Sequence, residues 1–261
     1  MIKAVILCGG QGTRIRDVSE AVPKPMLPIG GKPILWHIMK LYAHHGIRDF
    51  VLCLGYKGWS IKEFFLNYRA VTADITIELG QAGAVEIHGA LPEEGWRITL
   101  AETGESAQTG ARIWNARRYL EDADRFCMTY GDGVADLDVA ALLKAHAASG
   151  CTGMLSGVRP AGRFGEIDCD AGKVRHFHEK PNTTGGTING GFMVFNTSDA
   201  LRYFRGGDDL NLEQEVLPKL VADGQLAVYQ HEGFWQCMDT LREFNMLNEL
   251  WAKGQAPWKV W

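Results

Sequence analysis

Lys3-Ala4-Val5-Ile6-Leu7-Cys8-Gly9-Gly10-Gln11-Gly12-Thr13-Arg14 is an apolar run that stops at a cluster of glycines. A run without polar alternation reads as a strand buried on both faces of a sheet. Glycines just past its end let backbone N–H groups approach an anion closely, with no Cβ in the way. Downstream, residues 32–45 set Ile34, Leu35, Ile38, Leu41 and Tyr42 on one helical face, with Pro33 at the start and Gly46 at the end. Residues 49–54 and 125–130 read as further buried strands, 74–79 and 96–100 as strands with one wet face, and 59–68, 112–120 and 139–148 as helices.

Strands interleaved with helices predict an α/β, Rossmann-like architecture: a mostly parallel mixed sheet flanked by helices. The second half is richer in strands, at 151–158, 164–169, 174–178, 188–195 and 226–230. Helices are expected at 198–205, 212–223 and 240–253. This half should extend the same sheet and add a smaller strand-rich lobe. No repeat, low-complexity tract or linker divides the chain, so residues 1–261 read as one domain. Ligands on such sheets sit at the carboxyl ends of strands, and both the glycine loop and Asp132 fall there.

The 261 residues are 46% apolar, enough for a substantial core. Lys and Arg number 27 against 31 Asp and Glu, a net charge of -4, without the basic excess of a nucleic-acid binder. The six cysteines are scattered, with no two spaced as a metal or redox pair, and read as buried reduced thiols. The opening Met1-Ile2-Lys3-Ala4-Val5-Ile6-Leu7-Cys8 enters a strand directly, and no run is long enough to span a membrane. A soluble, cytoplasmic protein is expected.

Two motif readings of the glycine loop fail. A Walker A loop ends in Gly-Lys-Ser/Thr, whereas this one ends Gly12-Thr13-Arg14. A dinucleotide fingerprint needs a third glycine where Ile15 stands, and an acidic residue after the second strand, which here continues Cys53-Leu54-Gly55-Tyr56. The sequel Pro23-Lys24-Pro25-Met26 is more telling. Flanking prolines hold the backbone extended and aim Lys24, a point charge suited to phosphate, while Arg14 can fork onto two oxygens.

Together, Leu7-Cys8-Gly9-Gly10-Gln11-Gly12-Thr13-Arg14 and Pro23-Lys24-Pro25-Met26 resemble the signature of the sugar-phosphate nucleotidyltransferase superfamily. The resemblance implies that the loop from Leu7 to Arg14 (Gly9, Gly10, Gln11, Gly12 and Thr13 included), with Lys24, binds a nucleoside triphosphate. It implies Mg²⁺ as cofactor, ligated by Asp132 in Tyr130-Gly131-Asp132-Gly133 and by Asp239. Arg14, Lys24, Asp132 and Asp239 are then the catalytic set. Glu179-Lys180-Pro181, Asn189-Gly190-Gly191, Gly165 and Tyr130 match the side that holds the sugar phosphate. Thr109-Gly110-Ala111-Arg112 matches a nucleotide-side segment, with Thr109 and Arg112 as contacts. Cys8 and Ala111 replace small family residues by small ones, and Leu212 stands where a tryptophan is expected before Glu213-Gln214-Glu215.

The stretches 31–40, 129–138, 162–165, 233–240 and 256–261 resemble the cytidylyl-transferring branch. That implies CTP and glucose 1-phosphate as substrates, CDP-glucose and pyrophosphate as products, and a homo-oligomer. In this frame roughly residues 1–140 form the nucleotide part, and 141–261 the sugar part with the C-terminal helix. A sugar 1-phosphate is largely dianionic at neutral pH, with a second pKa near ~6 by analogy with phosphoserine, so no general base is required. His37, His44 and His45 are accordingly assigned to packing or surface. Trp251, Trp258 and Trp261 could bury at a subunit contact or fold back on their own core.

Overall fold

The computed structural model describes residues 1–10, 22–80, 85–160, 166–170, 173–178 and 186–261, the two stretches 166–170 and 173–178 by their backbone pairing alone. A seven-stranded sheet forms the centre. Its strands are β1 (Ile2–Leu7), β2 (Asp49–Leu54), β3 (Arg97–Glu102), β4 (Arg125–Tyr130), β6 (Gly153–Val158), β7 (Ile188–Asn196) and β8 (Leu226–His231). A short strand, β5 (Gly133–Ala135), lies outside the sheet and pairs with β9 (Trp235–Cys237). The sheet order is β8-β6-β7-β4-β1-β2-β3. Neighbours are parallel except around β7, which runs antiparallel to β4 and β6.

The sheet is mixed and mostly parallel, as the interleaved pattern predicts. Three strands of the second half, β6 to β8, widen it, and the hairpin Glu166–Asp170 with Lys173–His178 stands apart. One apolar cluster lies on each face. On the first, α1 (Ile34–His44) buries Ile34, Leu35, Ile38, Leu41 and Tyr42, each 2% exposed or less. Gly46, at φ 84°, lets the chain leave that helix in the left-handed conformation. On the second, α3 (Thr109–Ala116) and α5 (Leu217–Ala222) pack over β1 and β4. Other helices among the described residues include α2 (Gly58–Leu66), α4 (Val139–Ser149) and α6 (Leu241–Ala252). No helix among the described residues is long and apolar enough to cross a membrane.

The chain departs from expectation in two helices. The one expected at 198–205 is helical only over Thr197–Ala200. Beyond it Tyr203 N–H bonds Ala200 O and Phe204 N–H bonds Leu201 O, turns that lead into Gly206-Gly207. The one expected at 212–223 begins as a π-helical turn, Leu212–Val216. The tail folds back on its own core: Trp258 is 1% exposed, stacked on Phe234 at 5.6 Å and near-parallel to Trp251 at 6.4 Å. Of the cysteines, Cys8, Cys53 and Cys127 are buried free thiols, while Cys151 and Cys237 are half-buried.

Candidate active site

Leu7 at the end of β1 stands in register with Tyr130 on β4 and Cys53 on β2, so three strands finish along one edge. A cavity of about 440 Å³ opens there, between Gly10, Lys24, Thr109, Tyr130, Asp132 and Asp239. Gly131 is required at the edge. A Cβ on it would lie 3.0 Å from Leu7 O and 2.9 Å from Pro25 Cγ, blocking the Lys24–Met26 turn from closing on β4.

That closure carries Lys24, 9% exposed, into the cavity wall. Its Nζ donates to Asp132 Oδ2 at 2.6 Å and to Asp239 Oδ1 at 2.5 Å. Burial alone would depress the Lys24 pKa. The adjoining carboxylates outweigh it, so the ammonium is held above the ordinary lysine value. The two aspartates meet through the β5–β9 ladder, which sets Gly133 opposite Cys237, and Met238 N–H bonds Asp132 O at 2.8 Å. Asp239 directly precedes Thr240, the N-cap of α6, and a capping box pairs Thr240 with Glu243. The Glu243 carboxylate also accepts from Asp239 N–H at 2.7 Å, which holds the aspartate backbone in place.

Two acidic oxygens on one nitrogen lie close enough to share a divalent cation. Mg²⁺ commonly takes one or two carboxylates and completes its shell with phosphate and water. No group of three or more His, Cys, Asp or Glu among the described residues could hold a metal. The pair therefore fits Mg²⁺ arriving with a phosphorylated ligand rather than a cage that binds it alone.

Burial, then nearby Asp239, pushes the Cys237 thiol up to about 12, and it donates to Asp239 Oδ2 at 3.5 Å. Burial and then Glu213 raise the Tyr130 phenol as well. Beside Tyr130, Gly191 sits at φ 81° with its Cα so near the ring that a Cβ would come within 2.7 Å. Asn189 Oδ1 caps Gly191 N–H at 2.8 Å, and Trp235 Nε1 donates to Gly190 O at 2.7 Å.

Arg112 is the residue expected to contact the nucleotide. It is 5% exposed and lies beside Gly9, donating to the carbonyls of Leu54, Gly104, Gly9 and Glu105 and to Thr103 Oγ1 at 2.8–3.3 Å. A Cβ on Gly9 would sit 2.2 Å from that guanidinium, which explains the glycine. Of the residues expected at the site, Leu7, Gly9, Gly10, Lys24, Thr109, Arg112, Tyr130, Asp132, Asn189, Gly190, Gly191 and Asp239 lie along this edge. Gln11, Gly12, Thr13, Arg14, Gly165, Glu179 and Lys180 lie outside the described residues. Pro25, Trp235 and Cys237 line the cavity without having been expected, and Glu213 reaches its rim. The first three sit in segments already matched for other residues. Glu213 had only the survival of Glu213-Gln214-Glu215 in a divergent stretch to mark it.

An edge that gathers a buried ammonium and two carboxylates beside a cavity suits transfer of a nucleotidyl group. The sequence profile of the family described as Nucleotidyl transferase matches residues 3–251, and the chain belongs to that family. Within it, the chain is 48% identical over 262 residues to the glucose-1-phosphate cytidylyltransferase of Salmonella typhi, the match covering all of both chains. It is 42% identical over 260 residues, again covering both chains, to the probable glucose-1-phosphate cytidylyltransferase of Bacillus subtilis. The crystal structure of HddC from Yersinia pseudotuberculosis shares the fold, with a TM-score of 0.68 over 96% of this chain and all of that one, at 24% identity.

Proposed function

We propose that the protein transfers CMP from CTP to glucose 1-phosphate, giving CDP-glucose and pyrophosphate. The observation that carries this is the meeting of Lys24, Asp132 and Asp239 at the sheet edge, in a chain alike end to end to enzymes with that name. A phosphate oxygen of the sugar attacks the α-phosphorus in line. The new P–O bond forms as the bond to the β-phosphate oxygen breaks, and pyrophosphate leaves. The sugar phosphate is already dianionic, so the work is to hold two repelling anions together and balance the charge of the transition state.

Lys24 supplies one fixed positive charge. Asp132 and Asp239 would hold Mg²⁺, which when bound with the triphosphate supplies charge neutralisation. We assign the glycine loop with Gln11 to Arg14 to the triphosphate, and Glu179, Lys180 and Gly165 to the sugar phosphate with Asn189, Gly190, Gly191 and Tyr130. We assign Thr109 and Arg112 to the nucleotide side, Arg112 beside Gly9, whose carbonyl it binds. Roughly residues 1–140 serve the nucleotide and 141–261 the sugar.

The partners are small molecules rather than nucleic acid, in keeping with a net charge of -4. Free thiols among the described cysteines fit a reducing compartment, the cytoplasm. Self-association is supported by the hairpin Asp74–Ile77 and Val85–His88, which leaves Ile75, Ile77 and Val85 exposed on one face.

The deciding experiment measures pyrophosphate release from CTP, UTP and dTTP against a panel of sugar 1-phosphates. CTP with glucose 1-phosphate should be the best pair. Asp132→Asn and Asp239→Asn should each abolish Mg²⁺-dependent turnover while leaving the fold intact. Equal rates with every pyrimidine triphosphate would remove the cytidylyl assignment, and full activity in both variants would remove the metal assignment.

A further inference from the structure

Two hydroxyls face each other across the cavity. Thr109 opens α3 on the nucleotide wall, and Tyr130 ends β4 on the acceptor wall. One carboxylate accepts from both: Thr109 Oγ1 donates to Glu213 Oε2 at 2.7 Å, and the Tyr130 hydroxyl donates to Glu213 Oε1. Glu213 therefore ties together two elements that sequence keeps apart.

Its own position is tightly set. It lies on the π-helical turn Leu212–Val216, a rare form retained mostly at functional sites. The Asn211 side chain accepts from the N–H groups of Glu213 and Gln214 at 3.0 and 2.9 Å, and Glu215 Oε1 accepts from Asn211 N–H at 3.0 Å. The turn is docked on the start of α3. Gln108 N–H bonds Asp208 O at 2.8 Å, Ala111 N–H bonds Leu210 O at 3.0 Å, and Leu212 N–H bonds Thr109 Oγ1 at 3.0 Å. The Thr109 hydroxyl thus accepts from one side and donates to the other, which fixes its direction. On the far wall, the Tyr130 ring is pressed against Gly191 and its hydroxyl also meets the Asn189 side chain.

Glu213 is exposed. An exposed carboxylate is well hydrated when unpaired, so these two bonds add little to folding stability. What they do is set the separation and direction of two hydroxyls that line the cavity. We propose that Glu213 is a positioning residue that locks the nucleotide wall and the acceptor wall at one spacing. Filling either half-site then orders the other. The inference rests on the nucleotidyl-transfer reading, under which the two walls serve two substrates.

The test is steady-state kinetics with CTP and glucose 1-phosphate on the wild type, Glu213→Ala, Glu213→Gln, Tyr130→Phe and the Tyr130→Phe/Glu213→Ala double variant. Glu213→Ala should raise KM for both substrates by about tenfold and lower kcat by less than about threefold. Its melting temperature should move by no more than about 2 °C. Tyr130→Phe should raise KM for the sugar phosphate alone, and the double variant should be no worse for that substrate than Glu213→Ala. Glu213→Gln should recover most of the loss, since its amide accepts one hydroxyl and donates to the other. Unchanged KM values in Glu213→Ala beside an active wild type would overturn the inference, as would losses that multiply in the double variant. A wild type that releases no pyrophosphate would instead sink the transfer reading, and the inference with it.

Discussion

Lys24 sits between Asp132 and Asp239, where a divalent cation would also find its ligands. A buried ammonium between two acids is neutralised as long as all three remain. Removing one partner leaves the remaining charge uncompensated. Lys24→Met should therefore draw the two carboxylates toward another cation. Mn²⁺ titrated in the absence of nucleotide and followed by electron paramagnetic resonance should bind about tenfold more tightly, while turnover falls by roughly 10²–10³ for want of a fixed charge on the phosphates. Unaltered Mn²⁺ affinity would mean that the lysine and the metal do not share the acids. From sequence, Lys24 was legible as a cation held between prolines. Its two partners were not, because one of them lies 215 positions away.

Short elements place the site more than long ones do. Gly9 is held by Arg112, whose donors gather the ends of β1, β2 and β3 around one guanidinium. Truncation to alanine would leave several carbonyls without partners at 5% exposure. We expect Arg112→Ala to cost about 2–4 kcal/mol in denaturant unfolding and to raise KM for CTP more than for the sugar phosphate. A variant that keeps its stability yet loses CTP binding would show that the guanidinium meets the nucleotide directly. The Thr109-Gly110-Ala111-Arg112 motif was visible in the sequence as a nucleotide-side segment. Which way its arginine points was not, because both a phosphate and a carbonyl cluster satisfy the same five donors.

For the molecule as a whole, the tail is a structural part of the core. Trp258 Nε1 donates to His37 Nδ1 at 3.3 Å, and His37 Nε2 donates to Ile29 O at 2.9 Å, so the buried imidazole is neutral. Burial lowers the His37 pKa to about 4, below its unfolded value of about 6.5. The unfolded chain then binds the proton first as pH falls. This contribution is complete above about pH 6.5 and is lost between there and about pH 4, up to about 3 kcal/mol. Urea midpoints measured across that window should fall more steeply for the wild type than for His37→Gln. Parallel curves would refute the assignment. That His37 has a packing or surface role followed from a reaction that needs no general base. That the C-terminal tryptophan is its partner was open, because an aromatic tail can cover its own chain or a neighbour's.

The order of strands and helices, the buried face of α1, the glycine loop at a strand end and the family signature follow from local chemistry. Burial periodicity, glycine freedom and proline stiffness act over a few residues and are written where they act. The salt bridges from Lys24 to both aspartates, the burial of Arg112 beside Gly9 and the bridge from Thr109 through Glu213 to Tyr130 came only with packing. They hang on three-residue strands too short to show a period, on a π-turn that reads as ordinary helix, and on contacts between segments whose separation along the chain carries no energy until the sheet has assembled.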